Sequence, residues 1–145
     1  MSASERLAKL SERAKQAEDR VTSAAGQARV DLEQTVSDAR VSAQAQADRL
    51  RENMRASGDK VAAWWSDVQK SWNALVAKVR EDVDKKKAER DASKAEERAG
   101  DAEAYAAFAV DYALAAIEEA EYAALDAHLA RMEANDAAGG GDKEA

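Results

Sequence analysis

The sequence contains no cysteine and no proline, and only six of its 145 residues are glycine. Without cysteine the chain has no disulfide framework, no cysteine-ligated zinc site and no thiol nucleophile. Proline removes a backbone donor and clashes with the preceding turn, so its absence leaves long helices unobstructed. These absences exclude small disulfide-stapled folds and favour a helical one.

Aromatic residues and long apolar runs are also scarce. Aromatic side chains make up 5% of the chain, with a single phenylalanine. The longest apolar stretch, residues 104–117, includes Asp111 and is shorter than the roughly 20 residues that a membrane-spanning helix needs. The first residues lack the apolar run of a signal peptide. We therefore expect a soluble, cytoplasmic protein.

Positive charge is in deficit, and the deficit is concentrated near the C-terminus. The chain has 22 basic and 29 acidic residues, a net charge of -7. Residues 101–145 hold 2 basic and 11 acidic residues, a net of -9. The one basic run, residues 85–87, is flanked by carboxylates. Such a chain has no basic stripe, and we expect no nucleic-acid partner.

Alanine, by contrast, recurs from residue 88 to residue 137 at alternating steps of four and three residues. Such steps keep one side of a helix aligned and mark the a and d positions of a coiled coil. Alanine at both positions lets two helix backbones approach more closely than leucine would allow. We call these fifteen positions the alanine seam: Ala88, Ala92, Ala95, Ala99, Ala102, Ala106, Ala109, Ala113, Ala116, Ala120, Ala123, Ala127, Ala130, Ala134 and Ala137.

The alanine seam predicts that the protein associates with itself to form a homo-oligomer. Another helical protein is the alternative partner, because the seam shows that a helix meets a helix without identifying that helix. The residues expected to make the closest self-association contacts are Ala106, Ala109, Ala113, Ala116 and Ala120.

The N-terminal part of the chain follows a different repeat. Apolar residues recur every eleven residues from Leu10 to Val83, which corresponds to about 3.67 residues per turn. Ser2 and Glu5 have the spacing of a capping box, which predicts that the first helix begins there. We expect an amphipathic helix over residues 1–58.

Glycine marks the expected domain boundaries. Gly58, followed by Asp59, is the best stop-and-restart signal. The apolar columns nevertheless pass through it in phase, so a hairpin and an unbroken helix both stay open, with the hairpin favoured. We expect a long helix over residues 59–134, continuous through Gly100, and a disordered tail over residues 135–145. The fold class is all-α: an elongated coiled coil or long helical hairpin whose C-terminal helix carries the alanine seam.

The bulkiest side chains of the chain cluster within nine residues, at Trp64, Trp65, Val68 and Trp72. The first interpretation is local core, where the arms of a hairpin pack. The second is an anchor for a partner protein, because clustered tryptophan is typical of binding hot spots. The third is a membrane-interface belt, since indole prefers the headgroup zone.

Residues suited to catalysis are few. The chain has one histidine, His128, and the position three residues before it is Leu125, so the Glu-x-x-His pair of a di-metal bundle is missing. Asp111 and Glu118 lie opposite the alanine seam, which indicates a solvated face or a second, polar contact. No glycine-rich phosphate loop or nucleophile motif occurs. We expect no enzyme activity, no cofactor and no metal site.

Two segments resemble a known group of proteins. Residues 64–80 read WWSDVQKSWNALVAKVR, and residues 111–126 read DYALAAIEEAEYAALD. Together they resemble small alanine-rich helical proteins of actinobacteria, a group with no established function. The resemblance covers roughly residues 60–134. It implies a bacterial, cytoplasmic setting and adds no catalytic residue.

These patterns favour a structural or protein-interaction coiled-coil protein that self-associates and is not catalytic. The alternative is an amphipathic helical protein that binds a lipid or membrane surface, of the kind that acts under stress or desiccation. The eleven-residue repeat supports this second reading. A thin apolar face and the lack of excess lysine weaken it.

Overall fold

The computed structural model describes residues 2–88 and 91–143, with side chains up to residue 139. These residues form four α-helices and no strand, which confirms the all-α prediction. The helices are α1 (Ala3–Ala24), α2 (Arg29–Ala56), α3 (Asp59–Lys87) and α4 (Ala92–Lys143). Residues 10–88 form one compact unit, and α4 belongs to another.

The capping box predicted at the start of α1 is present in full. The Ser2 amide donates to Glu5 Oε2 at 3.1 Å, and the Glu5 amide donates to Ser2 Oγ at 3.2 Å. These reciprocal bonds satisfy two of the four amides that a helix start leaves without a backbone partner. The prediction of where the first helix begins is therefore confirmed.

A turn interrupts the helix that the sequence analysis predicted over residues 1–58. α1 ends at Ala24 and α2 begins at Arg29, and the Gly26 amide donates to the Ser23 carbonyl oxygen at 3.2 Å. Glycine has the lowest helix propensity apart from proline, and the preceding Thr22 and Ser23 also favour turns over helix. The prediction of one continuous helix here is wrong because three weak helix formers fall together.

Gly58 forms the turn between α2 and α3. Its φ of 101° and ψ of 160° lie in a region that is essentially restricted to glycine. Just before it, the Ser57 hydroxyl donates to the Asn53 and Met54 carbonyl oxygens at 3.0 and 2.9 Å and so satisfies the end of α2. The chain reverses at this glycine, and of the two readings that the sequence left open, the structure shows the hairpin.

The two arms of this hairpin run antiparallel, and long polar side chains connect them. Arg40 of α2 donates two hydrogen bonds to the Asp84 carboxylate of α3, Nη1 to Oδ1 at 2.8 Å and Nη2 to Oδ2 at 3.0 Å. Four residues along each helix, Arg80 Nη1 donates to Gln44 Oε1 at 3.4 Å. A step forward in α2 thus matches a step backward in α3.

One face of α3 is partly covered, although no described residue of the chain is fully buried. The half-buried positions recur at steps of three and four residues, as one side of a helix requires. They include polar and apolar side chains: Ala62, Ser66, Gln69, Asn73, Val76, Arg80 and Val83. The contact between the hairpin arms is therefore mixed in character, and none of its described side chains forms a fully buried apolar core.

A second break separates α3 from α4, so the prediction of one helix over residues 59–134 is wrong. α3 ends at Lys87, and its last turn carries three lysines, residues 85–87, which complement the negative end of the helix dipole. Asp91 caps α4, because its Oδ1 accepts a hydrogen bond from the Ser93 amide at 2.8 Å. The alanine seam crosses this break without a change of spacing, which concealed it in the sequence.

α4 runs through Gly100 without interruption, as predicted, and continues to Lys143. The expected disorder from residue 135 is therefore not found as far as Lys143. Residues 132–138 are mostly good helix formers with no proline, and each glycine that follows costs only about 1 kcal/mol relative to alanine. Residues 144–145 of the expected tail lie outside the described part of the chain.

The two glycines Gly58 and Gly100 are expected to respond to alanine in opposite directions. Gly58→Ala forces a side chain into a glycine-only conformation and should destabilise the hairpin by about 1–3 kcal/mol. Gly100→Ala, in open space on a helix, should stabilise α4 by about 1 kcal/mol. Urea unfolding followed by far-UV circular dichroism measures both. An equal response of the two variants would contradict the hairpin turn.

Acid is expected to weaken the hairpin. The hydrogen bonds from Arg40 lower the pKa of Asp84, attraction to Arg40, Lys87 and Arg80 adds to this, and desolvation opposes it. A carboxyl whose pKa is lower in the folded state than in the unfolded state stabilises the fold at pH values above its ordinary pKa of about 3.9. This stabilisation is lost as the pH falls through the lowered pKa of the folded state. Asp84→Asn should be less stable than the parent chain near pH 6 and equal to it near pH 2. A difference that persists in acid would show that the ion pair is not its cause.

Candidate interaction surfaces

The five alanines predicted for self-association lie along one side of α4. Ala106, Ala113 and Ala116 are exposed, and Ala109 and Ala120 are half-buried. Because all five have small side chains, the backbone of α4 is accessible to a neighbouring helix along this stretch. The structure thus shows a shallow strip of small side chains, about four helical turns long.

Large apolar side chains border this strip on both sides. Tyr105 and Tyr112 occupy the g positions on one side, and Val110 and Ile117 occupy the e positions on the other. Val110 is 67% exposed and Tyr112 is 40% exposed, whereas Tyr105 and Ile117 are half-buried. The alanine seam is therefore the floor of a shallow apolar channel with an aromatic wall and an aliphatic wall.

Further apolar side chains of α4 point away from the seam. Phe108 lies next to Tyr112, with the ring centroids 6.3 Å apart and the rings tilted by 34°. All of the outer residues are at least half exposed or nearly so: Phe108, Leu114, Tyr122, Leu125, Leu129 and Met132. A helix that is apolar on several sides usually contacts more than one neighbour.

The tryptophan cluster lies on α3 and is largely open to solvent. Trp64 is 64% exposed, Trp65 46% and Val68 43%, while Trp72 is half-buried. The Lys60 ammonium lies 5.5 Å from the centre of the Trp64 ring, within cation–π range. Trp64, Trp65 and Val68 do not pack as core between the hairpin arms. Of the interpretations that the sequence left open, a partner anchor and a membrane-interface belt fit their exposure better.

The carboxylates of α4 are spread along the helix and do not converge. Among the residues described, no group of three or more histidine and acidic side chains is arranged to hold a metal ion. Asp111 and Glu118 are exposed, as is His128. Their exposure is compatible with the solvated face that the sequence analysis predicted for Asp111 and Glu118.

The structure also shows a groove that the sequence analysis missed. It lies between α1 and α2, has a volume of about 490 Å³ and is lined by polar side chains and by alanine. Each helix contributes three long or polar side chains that share one side of it, because they are spaced by three or four residues. The wall on α1 consists of Arg13, Gln16 and Arg20, and the wall on α2 consists of Ser42, Gln46 and Arg49. The spacing of these residues in the sequence places each set on one side of a helix. That the two sets face each other follows only from the turn at Gly26, which the sequence analysis did not predict.

Comparison with known proteins adds no relative. No protein family matches the sequence, and neither a curated protein nor a solved structure is detectably similar to it. The resemblance to alanine-rich actinobacterial proteins therefore stays a prediction. Within the described residues, every helix is too short in its apolar stretches, or too polar, to cross a bilayer.

Proposed function

We propose that the protein is a non-catalytic interaction module that self-associates through the alanine seam of α4. The observation that carries the proposal is the exposure of this seam together with its apolar walls. Soluble proteins rarely leave such a surface open, and contiguous apolar surface is typical of interaction sites. A second copy is the simplest occupant, because two alanine seams are complementary to each other in shape.

The energetics are consistent with association of two or more copies. Full burial of a large apolar side chain contributes about 1.5–3 kcal/mol, and half of that is available where the side chain is half exposed. Four wall residues on each of two helices then contribute at most about 6–12 kcal/mol, since Tyr105 and Ile117 are less than half exposed. Association costs about 4–15 kcal/mol in lost freedom, so the walls alone barely offset it. Close backbone packing along the seam, or a third and fourth helix, supplies the difference.

The charge of α4 bears on the geometry of such an assembly. Residues 101–145 carry a net of -9, so two parallel or antiparallel copies repel each other through this segment. The seam itself holds only alanine, and the carboxylates at Asp111 and Glu118 lie opposite it, at the f position. The assembly should therefore place its carboxylates outward, where water and salt screen them.

Replacement of Ala113 by leucine tests the seam. The larger side chain at an a position prevents the close approach of two backbones, and overpacking of this kind costs about 1–3 kcal/mol. Association should weaken by roughly tenfold or more, which light scattering across a concentration series measures. Ala115→Leu, an exposed alanine at a c position outside the seam, is the matched control and should leave the mass unchanged.

Two results would contradict this proposal. If the parent chain scatters light as a 15.6 kDa monomer at all concentrations, the seam has another occupant. If Ala113→Leu and Ala115→Leu associate equally well, association uses a different face of the protein.

A second candidate function is binding to a lipid surface, and the exposed tryptophans of α3 favour it. Trp64 and Trp65 present indole rings to solvent, and indole partitions to the headgroup region of a bilayer. Lys60, beside Trp64, places a positive charge where phosphate groups lie. The protein would then lie on the membrane and not cross it.

Co-sedimentation with phospholipid vesicles tests this candidate. Trp64→Ala with Trp65→Ala should reduce vesicle binding at least tenfold, because two large side chains no longer enter the interface. Tyr122→Ala, which removes an exposed aromatic side chain from α4, is the control and should have little effect. Vesicle binding that survives loss of both tryptophans would rule out α3 as the contact.

A further inference from the structure

The groove between α1 and α2 brings three arginines together without a carboxylate in its lining. Arg13 and Arg20 stand two turns apart on α1, and Arg49 stands on the facing side of α2. The chain has more acidic than basic residues, so a lining with three positive and no negative side chains departs from its overall composition. Both helix segments belong to the same compact unit, residues 10–88.

These arginines form no ion pair with any of the described carboxylates, in contrast to other basic residues nearby. Lys15 pairs with Glu18 and Asp19 at 3.7 and 3.4 Å, and Arg51 pairs with Asp48 at 3.8 Å. The neighbouring acidic side chains are thus engaged along their own helices. The three guanidinium groups at the groove are left facing a common space.

The rest of the lining suits an oxyanion. Gln16 and Gln46 carry amide groups and Ser42 a hydroxyl, all of which donate hydrogen bonds to phosphate-type oxygens. Arg49 Nη1 donates to Gln46 Oε1 at 2.9 Å, so these two side chains orient each other on α2. Ala39, Ala43 and Ala45 complete the lining and leave the space between the walls open.

We infer that this groove binds an anionic ligand that carries phosphate groups. Arginine presents a planar fork of donors that matches two phosphate oxygens at once, and arginines on opposite walls can bind separate phosphates or share one. A volume of about 490 Å³ accommodates a small phosphorylated molecule or the headgroup of a phospholipid. Either source supplies the same chemistry.

Ligand binding here also has a structural consequence. The two walls of the groove carry like charges, Arg13 and Arg20 on α1 and Arg49 on α2, and like charges repel each other. A bound phosphate would neutralise this repulsion and connect the two helices. The pair of helices α1 and α2 should therefore become more ordered when the ligand binds.

Titration calorimetry with inorganic pyrophosphate tests the inference. The groove variant is Arg13→Gln with Arg20→Gln and Arg49→Gln, and the control is Arg6→Gln with Arg29→Gln and Arg55→Gln. Both variants lose three positive charges, so any effect of net charge is equal. Pyrophosphate should bind at least tenfold more weakly to the groove variant and with unchanged affinity to the control. Arg20→Gln alone should lie between them and serves if the triple variant loses helix content.

Vesicles distinguish the two sources of phosphate. Phosphatidylcholine vesicles with and without phosphatidylglycerol are compared in co-sedimentation with the same variants. Groove-dependent binding to the anionic vesicles, displaced by pyrophosphate, supports a headgroup ligand. Groove-dependent binding of pyrophosphate without vesicle binding supports a soluble ligand.

Three outcomes would overturn the inference. The first is that the parent chain binds neither pyrophosphate nor the anionic vesicles. The second is that the groove and control variants lose affinity equally, which reports non-specific charge. The third is that the groove variant changes the oligomer mass while pyrophosphate does not bind, which would make the groove a protein contact for acidic side chains.

Discussion

Backbone hydrogen bonding inside helices is the interaction on which this structure depends, because none of the described residues buries its side chain. In a typical domain, apolar burial supplies most of the stabilisation and helix propensity adds little. Here alanine, the best helix former, is abundant, and each alanine gains up to about 0.7 kcal/mol over poorer helix formers. The helices form from local preference, and their faces stay available for contact. The surfaces of the chain therefore matter more to its function than any interior.

Local signals were the part of the fold that the sequence predicted well. The capping box at Ser2 and Glu5 follows from chemistry within one turn, and Gly58 turns the chain because no other residue adopts its backbone angles at low cost. The break before Asp91 was missed because the alanine seam keeps its spacing across it. The periodicity of a sequence shows which residues lie on the same side of a helix. A short break in the helix that does not change the spacing of those residues leaves the periodicity unchanged. The cap itself was readable from Asp91, a residue type that favours the N-cap position, but the alanine seam outweighed that signal.

The candidate surfaces divide in the same way. The alanine seam and its walls depend on positions within one helix, so the sequence was sufficient to locate them. The Arg40–Asp84 pair and the arginine groove depend on which helices face each other, and no single-helix pattern contains that information. The two kinds of surface also differ in chemistry, since α4 is acidic and apolar while the groove is basic and polar. The two proposals, a helical partner at α4 and an anion at the groove, therefore concern separate surfaces of the chain.

The order of the elements along the chain has a consequence for how the protein is made. The contacts that close the α2–α3 hairpin end at Asp84, and all 52 residues of α4 follow later in the sequence. During synthesis the hairpin can form while α4 is still inside the ribosome, because folding proceeds from the N-terminus as segments emerge. The apolar helix α4 thus reaches solvent after the hairpin. It emerges beside other nascent chains on the same messenger RNA, where the local concentration of α4 from second copies is high.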